Sequence, residues 1–127
     1  MKRICILGPI GDGRVVSLEK MEKYAEFQKK KGNAVFLLAK DINLDVKLYD
    51  ISEQICSWIG WSDEVHIFCD PKSESFTFCL GMVFVLGKKI KVVENVLYEQ
   101  DKKSIPKMLF EWEIEQDKSA DQLTLKY

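Results

Sequence analysis

The sequence lacks an excess of charge of either sign. Its 127 residues include 19 Lys and Arg and 20 Asp and Glu, which gives a formal net charge of −1. Proteins that bind nucleic acid or anionic membranes through a general electrostatic field normally carry a basic excess, so this balance argues against both kinds of partner. Any site for a phosphate group must therefore be built locally from a few side chains and backbone amides.

Long hydrophobic runs are also scarce. The longest clearly apolar stretch, Phe76 to Leu86, is too short to span a bilayer, and the apolar run near the N-terminus meets Pro9 before it reaches the length of a secretory signal. Metal-binding motifs are missing as well, because the single His66 completes no zinc set and no cysteine pair has C-x-x-C spacing. We therefore expect a cytoplasmic protein without a metal or cofactor and with reduced cysteines, at Cys5, Cys56, Cys69 and Cys79.

What the sequence does contain is a regular alternation of two patterns. Apolar runs of strand length alternate four times with segments of helical periodicity, and the connections are short. This order predicts a single α/β domain over residues 1–127, a Rossmann- or flavodoxin-like three-layer fold with a four- to five-stranded, mainly parallel sheet. The expected strands are Arg3–Leu7, Ala34–Leu38, Val65–Cys69 and Ile90–Val93; the last helix is expected to end near Gln116, and the tail, about 118–127, to form an edge strand or an interface arm.

Sheets of this kind bind ligands at the carboxyl ends of their strands. This rule nominates three loops, over residues 8–16, 38–44 and 70–76. The first loop matches neither the dinucleotide fingerprint nor the Walker motif. Its glycines would let a ligand approach the backbone, Arg14 could bind a phosphate and Asp12 could bind ribose hydroxyls. The alternative is a plain strand-to-helix turn. The candidate residues are Gly8, Pro9, Ile10, Gly11, Asp12, Gly13 and Arg14.

The third loop leads into an apolar helix. Hydroxyl groups at Ser73, Ser75 and Thr77 could cap this helix and would suit a phosphate or a sugar. Gly81 in the middle of the helix costs about 1 kcal/mol relative to Ala, which indicates that a strand, a ligand or a partner helix packs closely there. The alternative is an ordinary buried helix.

Several of these features together resemble the nucleoside 2-deoxyribosyltransferase-like family. They are Gly8-Pro9-Ile10 after the first strand, Ser62-Asp63 closing the second helix, and the block from Ser75 to Ile90. The resemblance spans roughly residues 3 to 93. It implies a five-stranded α/β domain, a nucleoside or nucleotide ligand, and a homo-oligomer with shared sites. It also implies exchange or hydrolysis of an N-glycosidic bond by a Glu on the third helix.

The sequence departs from that family at the nucleophile. Cys79 stands where the nucleophilic Glu would be, and Phe76 stands where the Gly of a Gly-Thr pair would be. Covalent glycosyl transfer needs a carboxylate that attacks and then leaves. A thiol among apolar neighbours is expected to stay neutral. Asp70 and Glu74 are nearby carboxylates that could substitute, and Phe76 is expected at the rim, where it could stack on a base or fill the space of the missing Gly.

Three functions remain open. We favour binding of a nucleotide or nucleotide derivative without turnover, with sequestration of a signal such as an ADP-ribose derivative. The second is an active N-glycosidase or deoxyribosyltransferase that uses Asp70 or Glu74. The third is an interaction module that uses Trp112, Leu123 and Leu125. Besides the first loop, the expected ligand-binding residues are Asp70, Ser73, Ser75, Phe76, Thr77 and Cys79.

Overall fold

The computed structural model of the chain describes residues 1–10 and 17–126, with side chains up to residue 118. Over these ranges the strands form one parallel sheet in the order β2-β1-β3-β4. The predicted flavodoxin-like α/β fold is confirmed. The elements are β1 (Arg3–Leu7), α1 (Leu18–Lys30), β2 (Ala34–Leu37), α2 (Leu38–Asp41), α3 (Leu48–Trp61), β3 (Glu64–Phe68), α4 (Glu74–Val85), β4 (Lys89–Glu94) and α5 (Ile105–Lys126).

The two central strands are buried on both faces. Ile4 and Ile6 of β1 face α1, where they pack with Met21. Cys5 and Leu7 of the same strand face the other layer, where α3 and α4 supply most of the covering side chains. Alternate residues of a strand point to opposite faces, so a strand with helices on both sides is apolar at most positions. This is why the central strands read as continuous apolar runs.

The first helix begins and ends where the sequence predicts. The Ser17 hydroxyl accepts a hydrogen bond from the Lys20 amide at 3.2 Å, which satisfies one of the free donors of the first turn. At the other end Gly32 has a φ of +90°, a left-handed conformation that glycine adopts without steric cost.

Two segments differ from the sequence-based expectation. The second nominated loop begins with a helical turn, α2, and the Asp41 carboxylate accepts a hydrogen bond from the Leu37 amide at 2.9 Å. The edge strand expected at 118–127 is wrong over the described residues, since α5 continues to Lys126. After Pro106 the segment has no Gly or Pro and many Glu, Gln, Lys and Leu residues, which favour helix. The side chains of Leu123 and Leu125 lie beyond residue 118, outside the described side chains. None of the described helices combines the length and apolarity needed to cross a membrane.

The last helix also covers the open edge of β4. The Gln116 amide accepts from the Ile90 N–H at 2.9 Å and donates to the Lys88 carbonyl at 2.8 Å. The Glu113 carboxylate accepts from the Val92 N–H at 2.6 Å. Side chains of α5 therefore make the hydrogen bonds that a further strand would make.

A polar network lies between α1 and β3. The Tyr24 hydroxyl contacts His66 Nδ1 at 2.6 Å, and His66 Nε2 contacts the Glu64 carboxylate at 3.0 Å. Lys2 pairs with the same carboxylate at 2.9 Å. The neutral tautomer with its proton on Nε2 satisfies both ring contacts. Burial lowers the pKa of His66 in spite of the attraction of Glu64. Burial would raise the pKa of Glu64, but the hydrogen bonds from His66 and Lys2 outweigh it and lower that pKa.

We predict that this network makes stability depend on pH near neutrality. The unfolded chain binds the imidazole proton more readily, because its histidine pKa is the ordinary 6.5 and the folded value is lower. The free energy of unfolding should therefore be constant above that pH and fall as the pH decreases below it. Lys2 and Lys91 also oppose protonation. The lowered pKa of Glu64 also makes the free energy of unfolding fall as the pH decreases, but only below the ordinary glutamate pKa of 4.5.

Urea unfolding between about pH 5 and pH 7 checks this prediction, since His66 is the only histidine in the sequence. His66→Gln should flatten the profile over that range. The prediction would be contradicted if the free energy of unfolding of the wild type stayed constant over this pH range or increased toward lower pH.

Candidate functional site

The candidate site lies where the chain reverses its direction across the sheet. From β1 the first crossover leads to β2 on one side, and β3 lies on the other side. The carboxyl ends of β1 and β3 are therefore neighbours at a topological switch point, the place where open parallel sheets bind ligands. Gly8 follows β1 there, and Asp70 follows β3.

Gly8 lies in close contact with the Met21 side chain of α1. A Cβ at this position would overlap the Met21 sulfur and would lie 3.6 Å from Cβ of Phe68. Met21 is fully buried, so its side chain has little room to yield. The absence of a side chain at Gly8 thus lets the end of β1 approach the helix. Close approach of a ligand to this backbone remains a prediction.

Two serines join the start of α4 to the end of β1. The Ser75 hydroxyl accepts from the Ile10 amide at 3.4 Å and lies 3.0 Å from the Ser73 hydroxyl. Ser73 is the N-cap of α4, and its hydroxyl accepts from the Phe76 amide at 3.1 Å. The predicted cap is confirmed, and the two loops meet through these hydroxyl groups.

The two candidate carboxylates lie in different environments. Asp70 is only 2% exposed, and its carboxylate accepts from the Lys72 amide at 3.2 Å. Glu74 is exposed in the first turn of α4. It lines a shallow groove of about 390 Å³. Ser73, Thr77 and Phe78 are among the other lining residues. Glu74 is therefore the carboxylate of this pair that a ligand in the groove could reach.

Phe76 and Cys79 belong to the hydrophobic core. Both side chains are fully buried, and they pack in the cluster that covers one face of the sheet. The expectation that Phe76 lies at the rim of the ligand pocket and stacks on a base is wrong. Its apolar ring occupies the first buried position of α4 and packs into the core. Its other expected role, filling space in place of a glycine, fits this burial. Burial raises the pKa of Cys79 to about 11, so its thiol is protonated at neutral pH.

The remaining candidates have separate positions. Pro9 is fully buried. Thr77 is exposed, and its hydroxyl donates to the Ser73 carbonyl at 3.1 Å. Four candidates in the first loop lie outside the described residues: Gly11, Asp12, Gly13 and Arg14.

One feature of this edge was missed from the sequence. Lys20 of α1 forms an ion pair with Glu94 at the end of β4. The Glu94 carbonyl also accepts from the Cys69 amide at 2.9 Å. Glu94 ends the fourth strand, so the rule that nominated the other loops would have included it if it had been applied to that strand too.

Comparisons with known proteins identify this fold. No family model and no curated protein matches the sequence. The 2-desoxiribosyltransferase from Leishmania mexicana superposes with a TM-score of 0.57 at 18% identity, covering 76% of this chain and 66% of that one. The 2-deoxyribosyltransferase from the psychrotolerant bacterium Bacillus psychrosaccharolyticus superposes with a TM-score of 0.56 at 14% identity, covering 77% and 86%.

The chain thus spans slightly less than two thirds of the Leishmania protein. At these identities the likeness concerns the fold alone, and the chain has the nucleoside 2-deoxyribosyltransferase-like fold that the resemblance implies.

We predict that Gly8→Ala lowers the free energy of unfolding by about 1–3 kcal/mol, because the added methyl group overlaps the Met21 sulfur. In the Met21→Ala background the same change should cost much less, so urea unfolding of the double-mutant cycle should show strong coupling. Gly60→Ala is the control, since a Cβ there would have no neighbour within 4 Å. Additive effects at Gly8 and Met21 would contradict the packing argument.

Proposed function

We propose that this chain binds a nucleoside or nucleotide-derived small molecule between the carboxyl ends of β1 and β3 and leaves its glycosidic bond intact. The observation that carries the proposal is the environment of Cys79. In the family that the sequence resembles, the corresponding position holds the nucleophilic Glu. Here it holds a fully buried thiol with a pKa of about 11. A protonated thiol in the core cannot act as the attacking and leaving group of glycosyl transfer.

The binding part of the proposal rests on the switch point. The fold neighbours are named as 2-deoxyribosyltransferases, which favours a ligand of the nucleoside class. Hydroxyl groups of Ser73 and Ser75 lie beside the Ile10 backbone at the place where such sheets bind ligands. In the adjoining loop, Arg14 would bind a phosphate and Asp12 would bind ribose hydroxyls.

Two helices favour an anionic ligand at this edge. Both α1 and α4 begin at the carboxyl edge, with capping serines at Ser17 and Ser73. Their N-termini carry partial positive charge, which stabilises phosphate groups. A ligand with two phosphates, such as an ADP-ribose derivative, would use both helices. Sequestration of such a signal is the biological role that we propose.

A second candidate function is an N-glycosidase or deoxyribosyltransferase that uses Glu74. The observation that favours it is the exposure of this carboxylate in a groove with the hydroxyls of Ser73 and Thr77. Asp70 is a weaker candidate, because it is buried and already accepts a backbone hydrogen bond.

The first test separates capture from catalysis. Purified protein is mixed with a panel of nucleosides, nucleotides and ADP-ribose compounds, and the filtrate is analysed by mass spectrometry before and after the protein is heated. We expect one compound to disappear from the filtrate and to return intact on heating. Free base that appears with wild-type protein and is lost in Glu74→Gln, but not in the exposed control Glu53→Gln, would favour the enzyme. If no compound is captured or changed, the binding proposal fails.

For a captured compound we predict that Ser75→Ala raises the Kd by about tenfold, the cost of one lost hydrogen bond to an anionic group. Ser52→Ala is the matched control, because Ser52 is also a half-buried helical serine with a hydrogen bond to the backbone, in its case to the Leu48 carbonyl. Isothermal titration calorimetry measures both values. Equal Kd values for the two variants would place the ligand elsewhere.

The resemblance also implies a homo-oligomer, and we propose that the chain forms one.

A further inference from the structure

A second groove lies at the other end of the sheet from the candidate site. Its lining residues come from the beginnings of β1, β3 and β4, from the end of α1 and from the middle of α5. Its volume is about 560 Å³, which is within the range of small-molecule sites. Because all four strands are parallel, this groove lies at their amino ends, whereas the candidate site lies at their carboxyl ends.

The floor of the groove is a polar part of the sheet. Ile4 packs on the α1 side of the sheet and pairs with Glu64, so Glu64 and, two residues later, His66 lie on that same face. Lys89 pairs with Glu64 and Lys91 pairs with His66, which places both lysines on this face too. A sheet face that a helix covers is normally apolar. Here it is polar instead, and its two lysines are exposed.

Three lysines that line the groove have no carboxylate partner. Lys89 and Lys91 belong to the floor, and Lys31 follows the last turn of α1. None of the three forms an ion pair in the part of the chain that the structure describes. The Lys31 ammonium lies 5.2 Å from the centre of the Phe27 ring, a contact that leaves its positive charge in place.

Most carboxylates of the groove already have partners. Glu64 contacts His66 at 3.0 Å and pairs with Lys2 at 2.9 Å. Glu113 accepts a hydrogen bond from an amide of β4 at 2.6 Å. Asp117 is the remaining carboxylate among the described lining residues. One carboxylate thus stands against three lysines. The groove has a local positive excess in a chain whose formal net charge is −1.

The kind of cation indicates the kind of anion. Arginine has a planar fork that matches a planar carboxylate, whereas lysine is a compact point charge that commonly binds phosphate. The described lining has the three lysines and no arginine. The groove also has room for more than a phosphate group. Asp117 is exposed and can accept hydrogen bonds from hydroxyl groups of an attached organic part.

We propose that this groove binds the phosphate group of a small molecule through Lys31, Lys89 and Lys91, with Asp117 accepting hydrogen bonds from the hydroxyl groups of the same ligand. The groove is a second site, at the opposite end of the sheet from the switch point. The inference therefore does not depend on the proposed function.

NMR titration of the full chain with inorganic phosphate tests this site. His66 is the only histidine of the sequence and lines the groove, so its imidazole signals and the amide signals of residues 89 and 91 report on binding. We expect a saturable shift with a millimolar Kd, and no saturable shift with sodium chloride at the same ionic strength. Malonate, a planar dicarboxylate, should bind more weakly. The same response to chloride, or no response to phosphate, would overturn the site. Malonate that binds as tightly would overturn the assignment to phosphate.

Paired substitutions locate the bound phosphate. Lys89→Gln combined with Lys91→Gln should raise the Kd for phosphate at least about tenfold. Lys23→Gln combined with Lys30→Gln is the matched control, because it removes the same charge from a different surface groove, on α1, and it should leave the Kd nearly unchanged. An equal loss of affinity in both pairs would overturn the proposal, since binding would then follow net charge alone. Circular dichroism checks that each variant is folded.

The two sites are distinguished by one further variant. Phosphate held at the carboxyl ends of the strands would respond to Ser75→Ala and not to the pair at Lys89 and Lys91, and that result would overturn the placement in the groove. Capture of nucleosides and nucleotides is measured separately. Its failure would leave the phosphate titration intact.

Discussion

Parallel pairing of β1 with β3 buries both strands between two layers of helices, and most other features of the molecule follow from it. Parallel neighbours cannot be joined by a short turn, so the chain must cross over through helices on both faces of the sheet. The first crossover leads to β2 and the second to β3, on opposite sides of β1. The two carboxyl ends therefore meet where the crossovers diverge. The contact between Ile10 and Ser75, 65 residues apart in sequence, is a consequence of this pairing.

The same pairing determines the chemistry that is open to the site. Both Cys69 after β3 and Cys79 on α4 are buried, and burial raises the pKa of each thiol to about 11. A carboxylate at position 79 would need a cavity or a polar partner, and neither fits among the apolar neighbours of this cluster. Packing in the core and exposure of an ionised group are thus competing uses of one position. In this chain the position serves the core.

The sequence predicts the sheet well because a strand covered on both faces is apolar at most positions. Helix α1 was equally predictable, since Ser17 and Gly32 mark its ends. The structure of the tail was not predictable in this way. Alternating leucines at 123 and 125 suggest a strand, but the absence of Gly and Pro lets the preceding helix continue. At the site, the caps follow from local chemistry. The inward direction of Phe76 and the contact of Lys20 with Glu94 depend on tertiary packing, which no local pattern specifies.

The side chains of Gln116 and Glu113 have a further consequence for the sheet. An uncovered edge strand offers a row of backbone groups on which other chains can assemble into aggregates or amyloid. The amides of Ile90 and Val92 on β4, and the carbonyl of Lys88 just before it, already have partners from α5. The helix thus insulates the sheet against polymerisation along that edge. It also limits how the fold can grow, because an added strand would first have to displace two side chains that already satisfy the backbone.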